Sequence, residues 1–196
     1  MRKLCTIVIS VMLAFGISGC SYETRIDKAS IAETVTVQKG ENGFVYSFFM
    51  VSNSDTPEFV SIECSDFEEA CVLARQNYIP DLLLANLELY IVSDEVYMQT
   101  LYNDVNFMAS QCHISPKAYV ALADGKTMNF ISESKEAPEK IEKYIILQKN
   151  KNKELNLNLL SIFNNFADDR KTEFNISYIS ADKELKVTPF IISSEK

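Results

Sequence analysis

Residues 118–123, Ala-Tyr-Val-Ala-Leu-Ala, are apolar without interruption, and no other segment constrains the fold as tightly. A strand with one wet face alternates apolar and polar side chains, whereas a strand lacking polar positions has to be covered on both faces. The run is therefore expected at the centre of a sheet. Upstream, residues 34–37, a turn at Lys39-Gly40-Glu41-Asn42-Gly43 and residues 44–51 read as a hairpin, with Phe44, Tyr46, Phe48 and Met50 alternating onto one face. Ser65-Asp66-Phe67-Glu68 has capping-box spacing. Phe67, Ala70, Cys71, Ala74 and Tyr78 follow near helical spacing, which predicts a helix over 66–77. Residues 87–92 read as a strand and 94–110 as a helix, with Tyr97, Leu101, Val105 and Met108 on one side.

Beyond the apolar run, Asp124-Gly125 turns the chain into a short helix near 126–131. Pro138 suits the first turn of another helix, which carries Ile141, Tyr144, Ile145 and Gln148 and gives way to a solvated connection at 149–153. Leu159, Ile162, Phe163 and Phe166 stand at i, i+3, i+4 and i+7, the stripe of a last helix. Phe174, Ile176 and Tyr178, a turn at Asp182-Lys183, and Leu185, Val187 and Ile191 make a final hairpin. The order β-β-α-β-α-β-α-α-α-β-β implies a single α+β domain, a mixed β-sheet flanked by helices.

The start of the chain carries a different signal. Arg2 and Lys3 precede about 14 mostly apolar residues, 4–17, a length that fits a signal segment and falls short of the ~20 needed to span a bilayer. The segment closes on Ile17-Ser18-Gly19-Cys20, the pattern of a bacterial lipoprotein processing site. Small residues at 18 and 19 admit a peptidase to the backbone, and the Cys20 thiol can carry a thioether-linked diacylglycerol. The expected organisation is a signal peptide over 1–19, a polar tether over 20–30 with lipidated Cys20, and the folded domain over 31–196. Arg2 and Lys3 leave with the signal, so of 19 Lys and Arg 17 remain against 27 Asp and Glu, a net charge of −10. That balance repels nucleic acid and anionic headgroups, so membrane attachment has to come from the lipid. The expected location is the extracytoplasmic face of a membrane.

Few residues offer chemistry. His113 is the only histidine, which excludes a two-histidine metal site, and it follows Cys112 directly, where neighbours in sequence seldom converge on one centre. With Cys20 acylated, Cys64, Cys71 and Cys112 are an odd set, best read as free thiols. Cys71 falls on the apolar stripe of its helix, a common place for a small buried hydrophobe. The pairs Glu68-Glu69 and Asp168-Asp169 read as solvated decoration, and the nucleophile, metal and phosphate-loop motifs of common enzymes are missing. No catalytic residue, metal ligand or cofactor site is expected, and Cys20 is the one site residue.

Three blocks, in order behind the lipobox, resemble the amino-terminal domain of the Ger(x)C family, the lipoprotein C subunits of spore germinant receptors. Residues 65–70, Ser-Asp-Phe-Glu-Glu-Ala, look like the helix that the family places after its first strands. Residues 84–95, Leu-Ala-Asn-Leu-Glu-Leu-Tyr-Ile-Val-Ser-Asp-Glu, are similar to its following strand and turn. Residues 114–126, Ile-Ser-Pro-Lys-Ala-Tyr-Val-Ala-Leu-Ala-Asp-Gly-Lys, look like its central strand running into a glycine-containing helix entry. Family members commonly carry a Trp-Asp pair where this chain has Ser21-Tyr22, and commonly continue into two further domains. The resemblance implies a non-enzymatic subunit on the outer face of the inner spore membrane, working with integral membrane germinant-receptor subunits. Two other readings stay open on the residues alone: a general envelope lipoprotein that binds a small solute or envelope component, and a thiol enzyme using Cys64, Cys71 or Cys112.

Overall fold

The computed structural model describes residues 30–51, 59–111, 113–134, 137–151, 158–181 and 184–193. Among these, eight strands build a mixed sheet: β1 (Ser30–Lys39), β2 (Phe44–Met50), β3 (Phe59–Cys64), β4 (Leu82–Leu83), β5 (Leu89–Ser93), β6 (Tyr119–Ala123), β7 (Glu173–Ala181) and β8 (Leu185–Ser193). The helices are α1 (Phe67–Asn77), α2 (Tyr97–Ser110), α3 (Gly125–Glu133), α4 (Ala137–Lys151) and α5 (Leu159–Ala167). The sheet runs β3-β2-β1-β5-β6-β7-β8, with β4 beside the start of β1. Strands β1, β5, β6 and β7 are mutually parallel, and antiparallel hairpin partners complete each side. The expected α+β domain with a mixed sheet flanked by helices is what the chain forms.

The uninterrupted run is covered on both faces, as its composition requires. On one face Val120 and Leu122 of β6 join Tyr90 and Val92 of β5 in a core roofed by α1, α2 and α5. On the other, Ala121 and Ala123 meet Leu89 and Ile91 beneath α3 and α4. The middle place falls to β5, however, with β6 one position away. Strand β5 is also buried at every residue; its flank Glu88 and turn residue Asp94 made the run look shorter and more polar than 118–123.

The first hairpin forms with Tyr46, Phe48 and Met50 in the larger core and Phe44 packed against it. A register shift between Ala32 and Thr34 re-aims β1, so that Ala32, Val35 and Val37 all reach that core despite their odd spacing. Strand β3 was not expected. Its buried Val60 and Ile62 alternate with exposed Phe59, Ser61 and Glu63, and the aromatic residue at an outward position blurs the period. The two-residue β4 is too short to leave a periodic signal.

Boundaries shift for local reasons. Helix α1 is capped one residue later than the capping-box spacing implied: Asp66 Oδ1 accepts from the Glu69 N–H at 2.8 Å, and Glu69 Oε2 accepts from the Ser65 N–H at 2.9 Å. Helix α2 begins at Tyr97 because Asp94 and Glu95 form a turn. There the Asp94 N–H bonds to the Ala123 carbonyl and its carboxylate accepts from the Tyr178 hydroxyl at 2.7 Å. Helix α3 is capped by Asp124, which accepts from the Thr127 N–H at 2.7 Å, so Gly125 opens the helix instead of lying in a turn before it. Helix α4 continues through Lys149, Asn150 and Lys151, which the charge run had assigned to a connection.

Candidate functional site

The expected lipidation residue, Cys20, lies outside the described residues, as do the rest of the lipobox and Cys112. His113 is exposed in the turn after α2. Cys64 and Cys71 are free thiols, and the Arg75 charge that would activate Cys71 is outweighed by burial. Burial pushes the Cys64 thiol up to about 11 and the Cys71 thiol up to about 12, the direction opposite to that of a reactive thiolate. Glu68 and Glu69 are exposed, Glu69 serving the α1 cap, while Asp168 bridges Arg170 at 3.0 Å. Among the described residues no cluster of His, Cys, Asp or Glu side chains is placed to hold a metal ion, and no helix is long and apolar enough to cross a membrane. The latter says nothing of strands.

Two features emerge that were not expected from the sequence. The first is a groove of about 660 Å³ where the first half of α2 passes the end of α5 and the last residues of β8. Tyr97, Leu101, Tyr102, Phe166, Ile191 and Ile192 give it an apolar lining, and Gln99, Asn103 and Ser193 add neutral polar groups. No lining residue carries a formal charge, in a chain whose net charge is −8. Edge-on ring contacts stiffen the walls: Tyr102 on Phe166 at 5.3 Å, Phe166 on Phe174 at 5.0 Å, and Tyr97 on Phe190 at 5.7 Å. The volume lies within the ~300–1,000 Å³ typical of small-ligand sites. Met98, Tyr102 and Ile191, at 78 %, 52 % and 60 % exposed, are apolar surface left open at its rim.

The groove is not legible in the sequence because its walls come from segments roughly 25 to 95 residues apart, joined only by the fold. One signal was available. Met98 and Tyr102 sit four apart on the outward face of α2, where solvent would favour polar residues.

The second feature is a polar group within the larger core. Asp104 on the inner face of α2 accepts from the Tyr90 hydroxyl at 2.6 Å and from the Tyr46 hydroxyl at 3.2 Å. Its position between Leu101 and Val105, on the apolar stripe already identified, was the available clue.

Elsewhere, Glu139 and Glu142 of α4 come close to Glu33 and Glu88. Burial, then hydrogen bonding to Glu88 and the charges of Glu88, Glu33 and Glu139, push Glu142 up to about 7. Lys143 pairs with Glu139 across one helical turn. Comparison with known proteins finds no matching family model, curated protein or solved structure.

Proposed function

We propose that this chain is a lipid-anchored, non-enzymatic accessory or scaffold subunit of the spore germinant-receptor type. The observation that carries the reading is the lipobox at residues 17–20, followed in order by the blocks at 65–70, 84–95 and 114–126. Diacylation of Cys20 holds the domain on the extracytoplasmic face of the membrane. Confinement there raises its effective concentration beside integral membrane partners, so a modest interface suffices. The acidic domain adds no attraction to anionic lipid, which leaves the acyl chains as the sole hold, at about 0.8 kcal/mol per buried CH₂. The test is affinity recovery of the tagged protein from detergent-solubilised spore inner membrane, with Cys20→Ala as control. Co-purification of polytopic germinant-receptor subunits, lost in the control, is the expected result. Recovery from growing cells only, with no such subunits, overturns it.

The groove favours one other reading, an envelope lipoprotein that binds a small uncharged apolar solute. Its volume, aromatic walls and absence of lining charge are the reasons. An environment-sensitive apolar dye titrated into the protein tests it. Saturable binding that Tyr102→Ala weakens at least tenfold supports this reading, and binding indifferent to that change removes it.

A further inference from the structure

Asp104 is the one carboxylate in the buried interior of the described residues, at 1 % exposed. It points from α2 into the layer between that helix and the sheet, where two tyrosines from different strands converge on it. Tyr90 of β5 donates to Oδ2 at 2.6 Å, and the Tyr46 hydroxyl of β2 lies 3.2 Å from both oxygens. The backbone N–H of Phe67, at the start of α1, also favours the charged form. The remaining titratable groups that face it are Asp66 at the α1 cap, Cys71 on α1 and Cys64 at the end of β3, and none of these is a cation. The side chains that β6 and α5 contribute to the same core are apolar, Val120, Leu122, Ile162 and Phe166.

Both protonation states of Asp104 have something to recommend them. Two hydroxyl donors and the nearby Phe67 N–H favour the carboxylate, while burial without a counter-charge favours the neutral acid. Burial wins, and the carboxyl is pushed up to about 7. Both tyrosine hydroxyls are held well above their ordinary range by burial and by the Asp104 charge, so they remain donors throughout.

The helix that carries Asp104 is also held differently from its neighbours. Helices α1, α3 and α5 each have a side-chain cap, from Asp66, Asp124 and Asn158, whereas the N-cap residue of α2, Val96, supplies no side-chain hydrogen bond. Its position rests on packing of Leu101, Val105 and Met108 and on the Asp104 cluster. We propose that Asp104 is a buried proton switch: a bound proton seats α2 on the sheet, and its loss loosens the helix together with the groove wall that Tyr97, Leu101 and Tyr102 provide.

The sign follows from linkage. An unfolded aspartate releases its proton near ~3.9, well below the folded value. Between those two points the folded chain holds a proton that the unfolded chain has lost, so stability falls as pH rises across that window and levels off above about 7. Glu142 titrates in the same range but sits on α4, on the opposite face of the sheet, so a global stability curve would merge the two. A local readout separates them.

Hydrogen exchange of the full chain in detergent micelles, corrected for the intrinsic chemical rate, provides it, with β7 as internal reference. Raising the pH from about 5.5 to about 8 is expected to accelerate α2 exchange roughly tenfold or more. Asp104→Asn, which keeps the shape and removes the titration, is expected to flatten that response. Tyr90→Phe removes a donor that favours the charged form and is expected to move the midpoint to higher pH. A pH-independent α2 in the wild-type chain, or an undiminished response in Asp104→Asn, overturns the proposal. Should Asp104→Asn fail to fold, the ¹³C carboxyl resonance of Asp104 in the wild-type protein decides: a midpoint in the ordinary aspartate range overturns the switch, and one near neutrality that tracks α2 exchange supports it.

Discussion

Gly43 passes so close to β3 that a β-carbon there would stand 2.5 Å from the Cys64 carbonyl oxygen. The obstacle is backbone, paired within the sheet, and cannot swing aside. Gly43→Ala is expected to lower stability by about 1–3 kcal/mol through overpacking, read as a lower denaturant midpoint at unchanged slope. At Gly40 the β-carbon would meet the Glu63 carboxylate at 2.6 Å, the far end of a flexible side chain, so Gly40→Ala is expected to cost less. Equal costs would contradict this account of the turn. The two described thiols supply a second residue-scale prediction. Cys64 and Cys71, raised by burial, should label slowly in the native protein and rapidly once it is unfolded. Fast native labelling of either would return a thiol chemistry to consideration. Cys71 was legible as a core residue because it falls on a regular apolar stripe. Asp104 is not legible as a core group, since a carboxylate on an apolar stripe reads as a surface residue until its two tyrosine donors are brought to it by other strands.

Elements were most legible where a single period persists. Leu159, Ile162 and Phe166 are buried in α5 with Phe163 packed beside them, and Tyr46, Phe48 and Met50 share one face of β2. Sequence reading failed where tertiary contacts set the boundary. Asp94 continues toward β6 and Tyr178 before α2 can begin, a choice visible only once those strands are adjacent. The α1 cap moved by one residue because Asp66 and Ser65 are both competent, and Glu69 reaches back to Ser65 as Glu68 would have done in the earlier register. Asp66→Ala is expected to cost about 0.5–2 kcal/mol by removing the acceptor for the Glu69 N–H, and Ser65→Ala to cost less. The reverse order in a melting experiment would restore the earlier register. For α4, Glu142 is the position to watch. Its carboxyl, raised to about 7 by burial and by Glu88, Glu33 and Glu139, makes docking of that helix weaken as pH climbs from the ordinary carboxylate range toward neutrality. Glu142→Gln is expected to raise the thermal midpoint at pH ~8 and leave it nearly unchanged at pH ~4, where the wild-type group is already neutral.

At the scale of the whole molecule, one uninterrupted apolar run and two flanking hairpins were enough to indicate a covered mixed sheet. The order of strands within it was not legible, because neighbours such as β1 and β5 or β6 and β7 meet across long connections with nothing local to specify them. The groove is a product of that same order. It lies on the helical layer where α2, α5 and the end of β8 meet, and it is formed from residues individually unremarkable in sequence. The proposed role depends on the proposed lipidation of Cys20. If two acyl chains are the sole hold on the membrane, then Cys20→Ala releases the domain whatever the state of the groove or of Asp104. Fractionation of spore membranes followed by affinity recovery therefore reaches the proposed function most directly. The wild-type protein should be found in the inner-membrane fraction together with polytopic germinant-receptor subunits, and Cys20→Ala should be found in neither. A wild-type protein that stays out of the membrane fraction, or that enters it and recovers no such subunits, would contradict the assignment.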